Sequence, residues 1–362
     1  MMMTSRKQCM AGVFGLLCLM SGLGTPLVQS CTTVARDGDH VQIAEETAAI
    51  VWDPAHGVEH FIRQATFNTK AKNFGFLVPT PTTPELAEAN PGVFNDLENL
   101  IAVVTTTSTS TSYYGEAGAT KKAPAIQVIK SQRVGGMDAV VLQANDEKAL
   151  TRWLRRHGYA ARPALNRWFA PYIKAQWKIT AFKIAAGRGS GTQVASSVVR
   201  MSFPTRQPFF PYREPSDQRK GSFAQFPRLL KVYLLGDGPM EGRLGSTNGW
   251  PGQRAGSNSV DEGERIPLAG DFSLRPNQLP SKMWLTVFED HSSPRPGTDD
   301  VYFRPAPTVQ AMPLFQKSSV KAYNRRQLLI GIGILIAVSF GIAFIYVQGQ
   351  GRRRSGAMGP SA

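Results

Sequence analysis

The sequence predicts an α+β fold, mainly antiparallel sheet with packed helices, plus one C-terminal transmembrane helix. Three observations lead to this prediction: short β-rich runs separated by Gly and Pro turns, segments with helical apolar spacing, and a long uncharged apolar segment near the end of the chain. With 362 residues, of which 42% are hydrophobic, the chain is long enough to bury one large core or two small ones.

The uncharged segment, residues 328–347, reads LLIGIGILIAVSFGIAFIYV. About 20 apolar residues with a rise of about 1.5 Å each cross the roughly 30 Å hydrocarbon core of a bilayer as a helix. Two arginines precede the segment and three follow it, as is common at membrane borders. We therefore expect a transmembrane helix here, with a membrane tether over residues 306–327 before it and a short basic cytoplasmic tail over residues 348–362 after it.

The chain begins with a second targeting segment. A basic start is followed by a short apolar run, residues 10–20, and by the small residues Val28 and Ser30 ahead of Cys31. A charged start, a short apolar middle and a small-residue cleavage site predict a secretory signal peptide over residues 1–30. An uncleaved N-terminal anchor and lipidation of Cys31 are the alternatives to simple cleavage.

These two segments together predict the location of the chain. A signal peptide at the start and a membrane helix at the end place the main domain on the periplasmic or extracytoplasmic side of a single-pass membrane protein, with the C-terminal tail in the cytoplasm. An alternative for residues 328–347 is a sorting tag that is removed after export, although no L-P-x-T-G string is present.

The charge of the chain favours anionic partners. The formal net charge is +15, but eight basic residues lie in the signal peptide or flank the span, so the exported region carries about +7. An anionic surface nearby accounts for an excess of this size. Nucleic acid is not an expected partner, because no dense basic face with interleaved aromatic residues is present.

The exported region opens with strands. Residues 48–52 are β-rich, residues 53–57 carry Pro and Gly at turn positions, and residues 58–67 alternate, which together predict a hairpin. A third strand is predicted over residues 74–78. We expect it to end at the Pro-Thr-Pro sequence that follows, because proline has no N–H for a ladder hydrogen bond.

A helix and a linker are predicted next. Residues 91–104 place apolar side chains on one face and a proline in the first turn. The Thr/Ser-rich residues 105–122 have no apolar face to bury, so they predict an exposed linker. This linker would divide the exported region, residues 31–305, into two lobes, residues 31–104 and 123–305.

The segment after the linker predicts two strands around a Gly-Gly pair, followed by two helices. Asn145 is the predicted N-cap of the first helix, and Gly158 is its stop. The second helix is predicted over residues 163–175, where Pro171 predicts a kink or an early end. Further strands are predicted over residues 177–184, 194–203, 229–235 and 283–288, with a short one near Phe272.

One string has the order of a metal site. Residues 56–60 read HGVEH, which matches the H-x-x-E-H string of a zinc-peptidase group whose chemistry needs both histidines on one helical face. The flanking Pro and Gly predict a hairpin instead, and residues four apart on a strand are separated by about 13 Å, too far for one zinc ion. We therefore expect no metal, no cofactor and no catalytic residue.

Other reactive motifs are not found in the sequence. The three cysteines are Cys9, Cys18 and Cys31, so a chain cleaved after residue 30 keeps one of them and forms no internal disulfide. The glycine-rich residues 187–191 lack phosphate-loop spacing and are expected to form a hairpin loop. No serine lies in a G-x-S-x-G string.

Two stretches are the better candidates for binding. One is the Pro-Thr-Pro turn and the other is the FFPYRE stretch, because exposed aromatic residues and prolines suit recognition loops. Simple loop rigidity is the competing explanation for both. The candidate binding residues are Pro79, Pro81, Phe209, Phe210, Tyr212 and Arg213.

Three stretches resemble the exported bacterial family DUF2330, a domain of unknown function. They are EHFIRQATFNTKAKNFGFLVPTPTTPELAEA, GGMDAVVLQANDEKALTRWLRRHGY and SSVVRMSFPTRQPFFPYRE. The resemblance extends over most of residues 31–305, and it implies a shared fold and an envelope address without implying an activity. Relatives often carry more than one cysteine near the mature start, so the lone Cys31 departs from the family pattern.

The expected function follows from these features. We expect a membrane-anchored exported bacterial envelope protein that serves as a non-catalytic binding or structural module. The alternative is an extracytoplasmic enzyme whose site is assembled from distant loops. The expected partners are the membrane, an envelope protein or an anionic surface polymer.

Overall fold

The computed structural model describes residues 32–102, 126–185, 193–217, 219, 228–246 and 249–306. The predicted signal peptide, the Thr/Ser-rich linker, the glycine-rich loop, the tether beyond residue 306, the membrane helix and the tail lie outside these ranges. Within the ranges, no helix combines the length and apolarity needed to cross a bilayer.

The described residues form short strands and four helices. The strands are β1 (Thr32–Val34), β2 (Val41–Asp53), β3 (Val58–Thr69), β4 (Asn73–Thr80), β5 (Glu85–Glu88), β6 (Ile126–Val134), β7 (Met137–Ala144), β8 (Lys178–Ala185), β9 (Gln193–Ala195), β10 (Val199–Pro204), β11 (Phe209–Phe210), β12 (Leu229–Gly236), β13 (Met240–Leu244), β14 (Gln253–Ser259), β15 (Trp284–Asp290) and β16 (Val301–Pro305). The helices are α1 (Val93–Ala102), α2 (Glu147–Arg156), α3 (Pro163–Lys174) and α4 (Arg265–Asp271).

The strands form three sheets. Sheet A has the order β1-β4-β8-β7-β6, sheet B has the order β14-β15-β12-β2-β3-β10-β5 with β9 also paired to β3, and sheet C has the order β11-β16-β13. Every strand pair among the described residues is antiparallel except β2 with β12, which is parallel. The predicted α+β class with a mainly antiparallel sheet is therefore confirmed.

Sheets A and B pack face to face, and their outer faces are covered by helices. Aromatic contacts join the inner faces: the ring centroid of Phe67 on β3 lies 4.8 Å from Phe74 and 5.8 Å from Phe76, both on β4. Helices α2 and α3 cover the outer face of sheet A, and α1 and α4 cover the outer face of sheet B. Because both faces of each sheet are covered, the central strands are buried on both sides.

Strands from before and after the Thr/Ser-rich stretch share both large sheets. In sheet A, β4 pairs with β8 from Asn73 opposite Ala185 to Thr80 opposite Lys178. In sheet B, β2 runs parallel to β12 along its length. The described parts of the two predicted lobes are thus joined by continuous sheets, and all described residues belong to one compact unit.

The predicted hairpin at the start of the domain is confirmed. Strand β2 ends at Asp53 and β3 begins at Val58, directly opposite it in the register. The Asp53 carboxylate caps the turn, because its Oδ1 accepts hydrogen bonds from the backbone N–H of Ala55 at 3.1 Å and of His56 at 3.2 Å. Gly57 supplies the positive φ of +62° that the turn needs.

The predicted strand and helix ends need correction. Strand β4 continues through Pro79 to Thr80, because β1 pairs only as far as Leu77 and the missing N–H of the proline faces no partner there. Asp146, and not Asn145, caps α2, since its Oδ1 accepts the Ala149 N–H at 2.6 Å. These ends depend on neighbouring strands and on side-chain orientation.

Two further predictions differ from the structure in the second half of the chain. Helix α3 continues through Pro171 and ends three residues later at Lys174. The short strand predicted near Phe272 is wrong, because α4 ends directly before it and Phe272 is buried beneath sheet B. The sequence prediction also missed β13, β14 and β16: β13 and β14 contain Gly and lack a period-two pattern, and β16 is only five residues long and ends in Pro.

Opposite charges are buried together between the sheets. Arg63 on β3 donates a hydrogen bond from Nη2 to Glu46 Oε1 on β2 at 2.6 Å, and its guanidinium lies 3.8 Å above the ring of Phe76 on sheet A. Arg295 lies within 4.0 Å of Glu46 Oε2 and 3.6 Å of Asp290 Oδ2. We call these four charged residues, Glu46, Arg63, Asp290 and Arg295, the buried ion cluster.

The buried ion cluster should be essential to stability. Replacing Arg295 with Met leaves the Glu46 and Asp290 carboxylates buried without this cation, so we expect the free energy of unfolding to fall by about 3–5 kcal/mol. Denaturant titration of the full-length chain measures this change. The matched control Arg206→Met removes an exposed arginine and should change stability by less than about 0.5 kcal/mol. Equal losses in both variants would contradict the role of the cluster.

Candidate functional site

A groove opens on the outer face of sheet A beside the end of α2. Strands β1, β4, β7 and β8 form its floor, while the last turn of α2 and the residues after it form its wall. It encloses about 160 Å³ of space open to water. Small-molecule sites typically enclose roughly 300–1,000 Å³, so this groove has room for one ring or one side chain.

Strand pairing brings four distant residues into one row across the floor. Val34 on β1 lies opposite Gly75 on β4, Gly75 lies opposite Lys183 on β8, and Lys183 lies opposite Asp138 on β7. Phe182, next to the lysine, is buried between the sheets, so Lys183 projects from the outer face. A cation and a carboxylate thus stand on adjacent strands, with Cβ atoms about 5 Å apart.

The wall of the groove is aromatic. The Trp153 ring stacks on His157, with centroids 3.9 Å apart and planes at 26°. Gly158 follows with φ of +80° and ends the helix, and the Tyr159 N–H then donates to the Leu154 carbonyl at 3.0 Å. This turn directs Tyr159 over the floor of the groove.

The glycine in the floor makes room for the side chain of Val34 on β1. A Cβ on Gly75 would lie 2.5 Å from Val34 Cγ2 and 3.4 Å from Tyr159 Cζ. The absence of a side chain therefore lets Val34 pack against the strand, and Tyr159 lies at van der Waals distance from the same position. Burial raises the pKa of the Tyr159 hydroxyl, the charge of Arg36 lowers it by a smaller amount, and the charge of Asp138 raises it.

The charged groups of the groove are unpaired. Among the described residues, Arg36, Lys183 and Asp138 have no ion-pair partner within 4.0 Å, and all three are exposed. The arginines of the buried ion cluster, in contrast, contact carboxylates. Two free cations and one free carboxylate beside partly exposed aromatic rings are available to bind a small charged group.

The aromatic binding candidates of the sequence lie in the core. Phe209, Phe210 and Tyr212 are each 1% exposed and form part of the core between the sheets. The expectation that these side chains are exposed is therefore wrong. The reason is that β11 joins sheet C, which closes one end of the space between sheets A and B with apolar side chains.

The remaining candidates of that set hold the fold together. Arg213 donates from its backbone N–H to Asp300 Oδ1 at 3.0 Å and from Nη1 to the Thr298 carbonyl at 2.7 Å. Pro79 is buried within β4, and Pro81 follows the strand at half burial. The structure does not bring these residues together with the groove.

The histidines of the HGVEH string point to different surroundings. His56 is 68% exposed in the turn and its Nδ1 lies 2.6 Å from Asp53 Oδ2. His60 is 2% exposed on β3, and its Nδ1 lies 2.8 Å from the Ser202 hydroxyl on β10. Within the described ranges, no group of three or more His, Cys, Asp or Glu residues is placed to hold a metal ion.

The glutamate of the same string is an internal group. Glu59 is fully buried, and its Oε2 accepts the Phe209 N–H at 2.8 Å. Burial raises the pKa of Glu59 well above its ordinary value, against a smaller lowering by that hydrogen bond. The hydrogen bond from Phe209 joins β3 to β11 inside the core.

The contact between Ser202 and His60 is a serine–histidine pair that the sequence did not predict. In a hydrolase, a third group holds the second ring nitrogen of the base. Here His60 Nε2 has no hydrogen-bond partner within the described part of the chain, and the Asp53 carboxylate is bonded to His56 instead. The pair therefore lacks the group that would orient the base.

Comparison with known proteins identifies the family of this chain. The family model described as an uncharacterized protein conserved in bacteria, DUF2330, matches residues 26–243. The chain belongs to the DUF2330 family. No curated protein matches this DUF2330 chain.

One solved structure is a weak structural match to this DUF2330 chain. It is described as the crystal structure of baculovirus P35, is 7% identical, and the match covers 74% of this chain and 98% of that chain with a TM-score of 0.35. A TM-score at this level carries no argument about fold or function.

The groove was missed because its parts are scattered along the sequence. Trp153, Gly158 and Tyr159 do stand together in the string that resembles the family, and this was the available signal. Lys183 and Asp138 meet only through strand pairing, which the sequence does not encode locally.

Burial of His60 should make stability depend on pH. Burial, and next the nearby Arg200, lower the pKa of His60 to about 4. The unfolded chain binds this proton near pH 6.5, so stability contributed by the neutral ring is lost as the pH falls from 6.5 toward 4. The free energy of unfolding of the wild type should fall by about 2 kcal/mol between pH 7 and pH 5, relative to that of His60→Asn, whose side chain does not titrate.

Denaturant titrations at both pH values measure this difference. The control variant Ser202→Ala keeps the buried imidazole, so it should retain the pH dependence of the wild type. If the free energies of unfolding of His60→Asn and of the wild type change equally with pH, the buried ring does not cause the pH dependence and the prediction is wrong.

Proposed function

We propose that this chain is a membrane-anchored exported envelope protein whose folded domain binds an anionic surface polymer without catalysing a reaction. The observation that carries the proposal is the groove on sheet A, where Arg36 and Lys183 are free of ion pairs beside Trp153 and Tyr159. An unpaired cation next to an aromatic surface is suited to hold a ligand that combines an anionic group with a ring.

The size of the groove favours a repeating ligand. A space of about 160 Å³ holds one unit of a polymer, so the affinity of one site for one unit would be modest. Membrane-held copies that engage several units of one polymer raise the overall affinity without any new contact. A tethered domain with a small site therefore suits attachment to a polymer better than capture of a free metabolite.

The proposed placement rests on the ends of the chain. The apolar residues 328–347 are proposed to hold the protein in the membrane, with the tail from residue 348 in the cytoplasm and the domain on the opposite side. The excess of positive charge in the exported region is in keeping with an anionic polymer or membrane surface as neighbour.

Charge removal in the groove should weaken polymer binding. We expect Lys183→Gln and Arg36→Gln each to reduce affinity for an acidic envelope polysaccharide about tenfold, the change that follows from the loss of one charge-assisted hydrogen bond. Calorimetric titration of the full-length chain in detergent micelles measures the affinity.

The matched control for these variants is Lys174→Gln. It removes the same charge from the exposed end of α3, outside the groove, and should leave the affinity close to that of the wild type. Equal weakening by all three variants would show that net charge, rather than the groove, controls binding.

The proposed topology is tested separately. A protease added to cells with a permeabilised outer layer should digest the domain between residues 31 and 305, and a cytoplasm-dependent reporter fused after Ala362 should be active. The physical reason is that a single span separates the two sides. A protected domain together with an inactive reporter would refute this placement.

A further inference from the structure

We infer that the groove binds an acidic sugar residue, one hexuronic acid unit of a polysaccharide, in preference to a phosphate-linked polymer. This inference rests on the proposed function and names the chemical class of its ligand. It depends on the position of Asp138 in the floor row and on the aromatic wall.

The carboxylate in the floor discriminates between anions. Asp138 is exposed in the groove and directly opposite Lys183, without an ion-pair partner among the described residues. An ionised carboxylate accepts hydrogen bonds and donates none. The phosphodiester group of a phosphate-linked polymer has no O–H to donate, so Asp138 repels that group. A sugar acid offers ring hydroxyls to Asp138 and a carboxylate to the lysine.

The spacing of the two charges fits groups on one ring. Lys183 and Asp138 stand on adjacent strands with Cβ atoms about 5 Å apart, so their side chains reach groups on the same sugar. Arg36 follows β1, at the edge of sheet A away from β7, and also lines the groove. A sugar acid bound between Lys183 and Arg36 therefore has a cation on each side.

The wall suits a sugar better than a bare ion. Trp153 and Tyr159 are partly buried rings that present an apolar body with a polar edge, the form that packs against the C–H faces of a pyranose. Gly75 keeps the floor under Tyr159 free of a side chain. A small inorganic anion would leave this aromatic surface unused.

The test measures binding of three probes to the full-length chain in detergent micelles: trigalacturonate, neutral galactotriose and a glycerol phosphate oligomer whose free hydroxyls are methylated. The wild type should bind trigalacturonate at least about tenfold more tightly than either of the others. Asp138→Asn should weaken trigalacturonate binding about tenfold and strengthen glycerol phosphate binding, because the repulsion is removed.

The opposite signs of these two changes distinguish recognition from loss of folding. Asp237→Asn, an exposed aspartate in the turn after β12, is the charge-matched control and should change neither affinity. If glycerol phosphate binds in the groove more tightly than trigalacturonate, the inference is overturned while the proposed anion-binding function stands. If no anionic probe binds, both are overturned.

Discussion

The architecture depends on the neutralisation of charge between the two large sheets. Arg295 enters this space with its side chain 1% exposed and lies close to the carboxylates of Glu46 and Asp290. A buried charge of this kind is tolerated only when opposite charges surround it. The loop after β15 must therefore fold inward. Asp300, which is buried in the same loop, accepts a hydrogen bond from the Tyr172 hydroxyl on α3 at 2.8 Å. The outer helix is thus joined to the interior of the domain.

Covering both sheets with helices determines where the molecule can act. Most large side chains of the described domain are enclosed by the layers, and even the phenylalanines of the FFPYRE stretch are used in the core. The outer face of sheet A is open where α2 stops at Gly158, and there Lys183 and Asp138 reach solvent without partners. The end of a helix, set by a residue with positive φ, thereby creates the concave surface to which we assign function.

Local patterns predicted the parts of the fold that depend on adjacent residues. The turn after Asp53 and the amphipathic helices α2 and α3 could be read from turn residues and apolar spacing, because their energies arise within a few positions. Exposure could not be read in this way. Strand β4 continues through Pro79 because β1 pairs only as far as Leu77 and needs no N–H from the proline. Phe209 is buried because β16 pairs with its strand.

The amino-acid sequence by itself determined the family of the protein, the mainly antiparallel α+β class and the positions of its strongest hairpin and helices. It also carries the apolar end segments on which the proposed export and anchoring rest. Only the tertiary structure decided that β2 pairs with β12, that the ion cluster is buried, and that Val34, Gly75, Lys183 and Asp138 form one row. The physical reason is that helix periods and turns are local, whereas strand pairing joins residues more than a hundred positions apart and depends on the energy of the whole core.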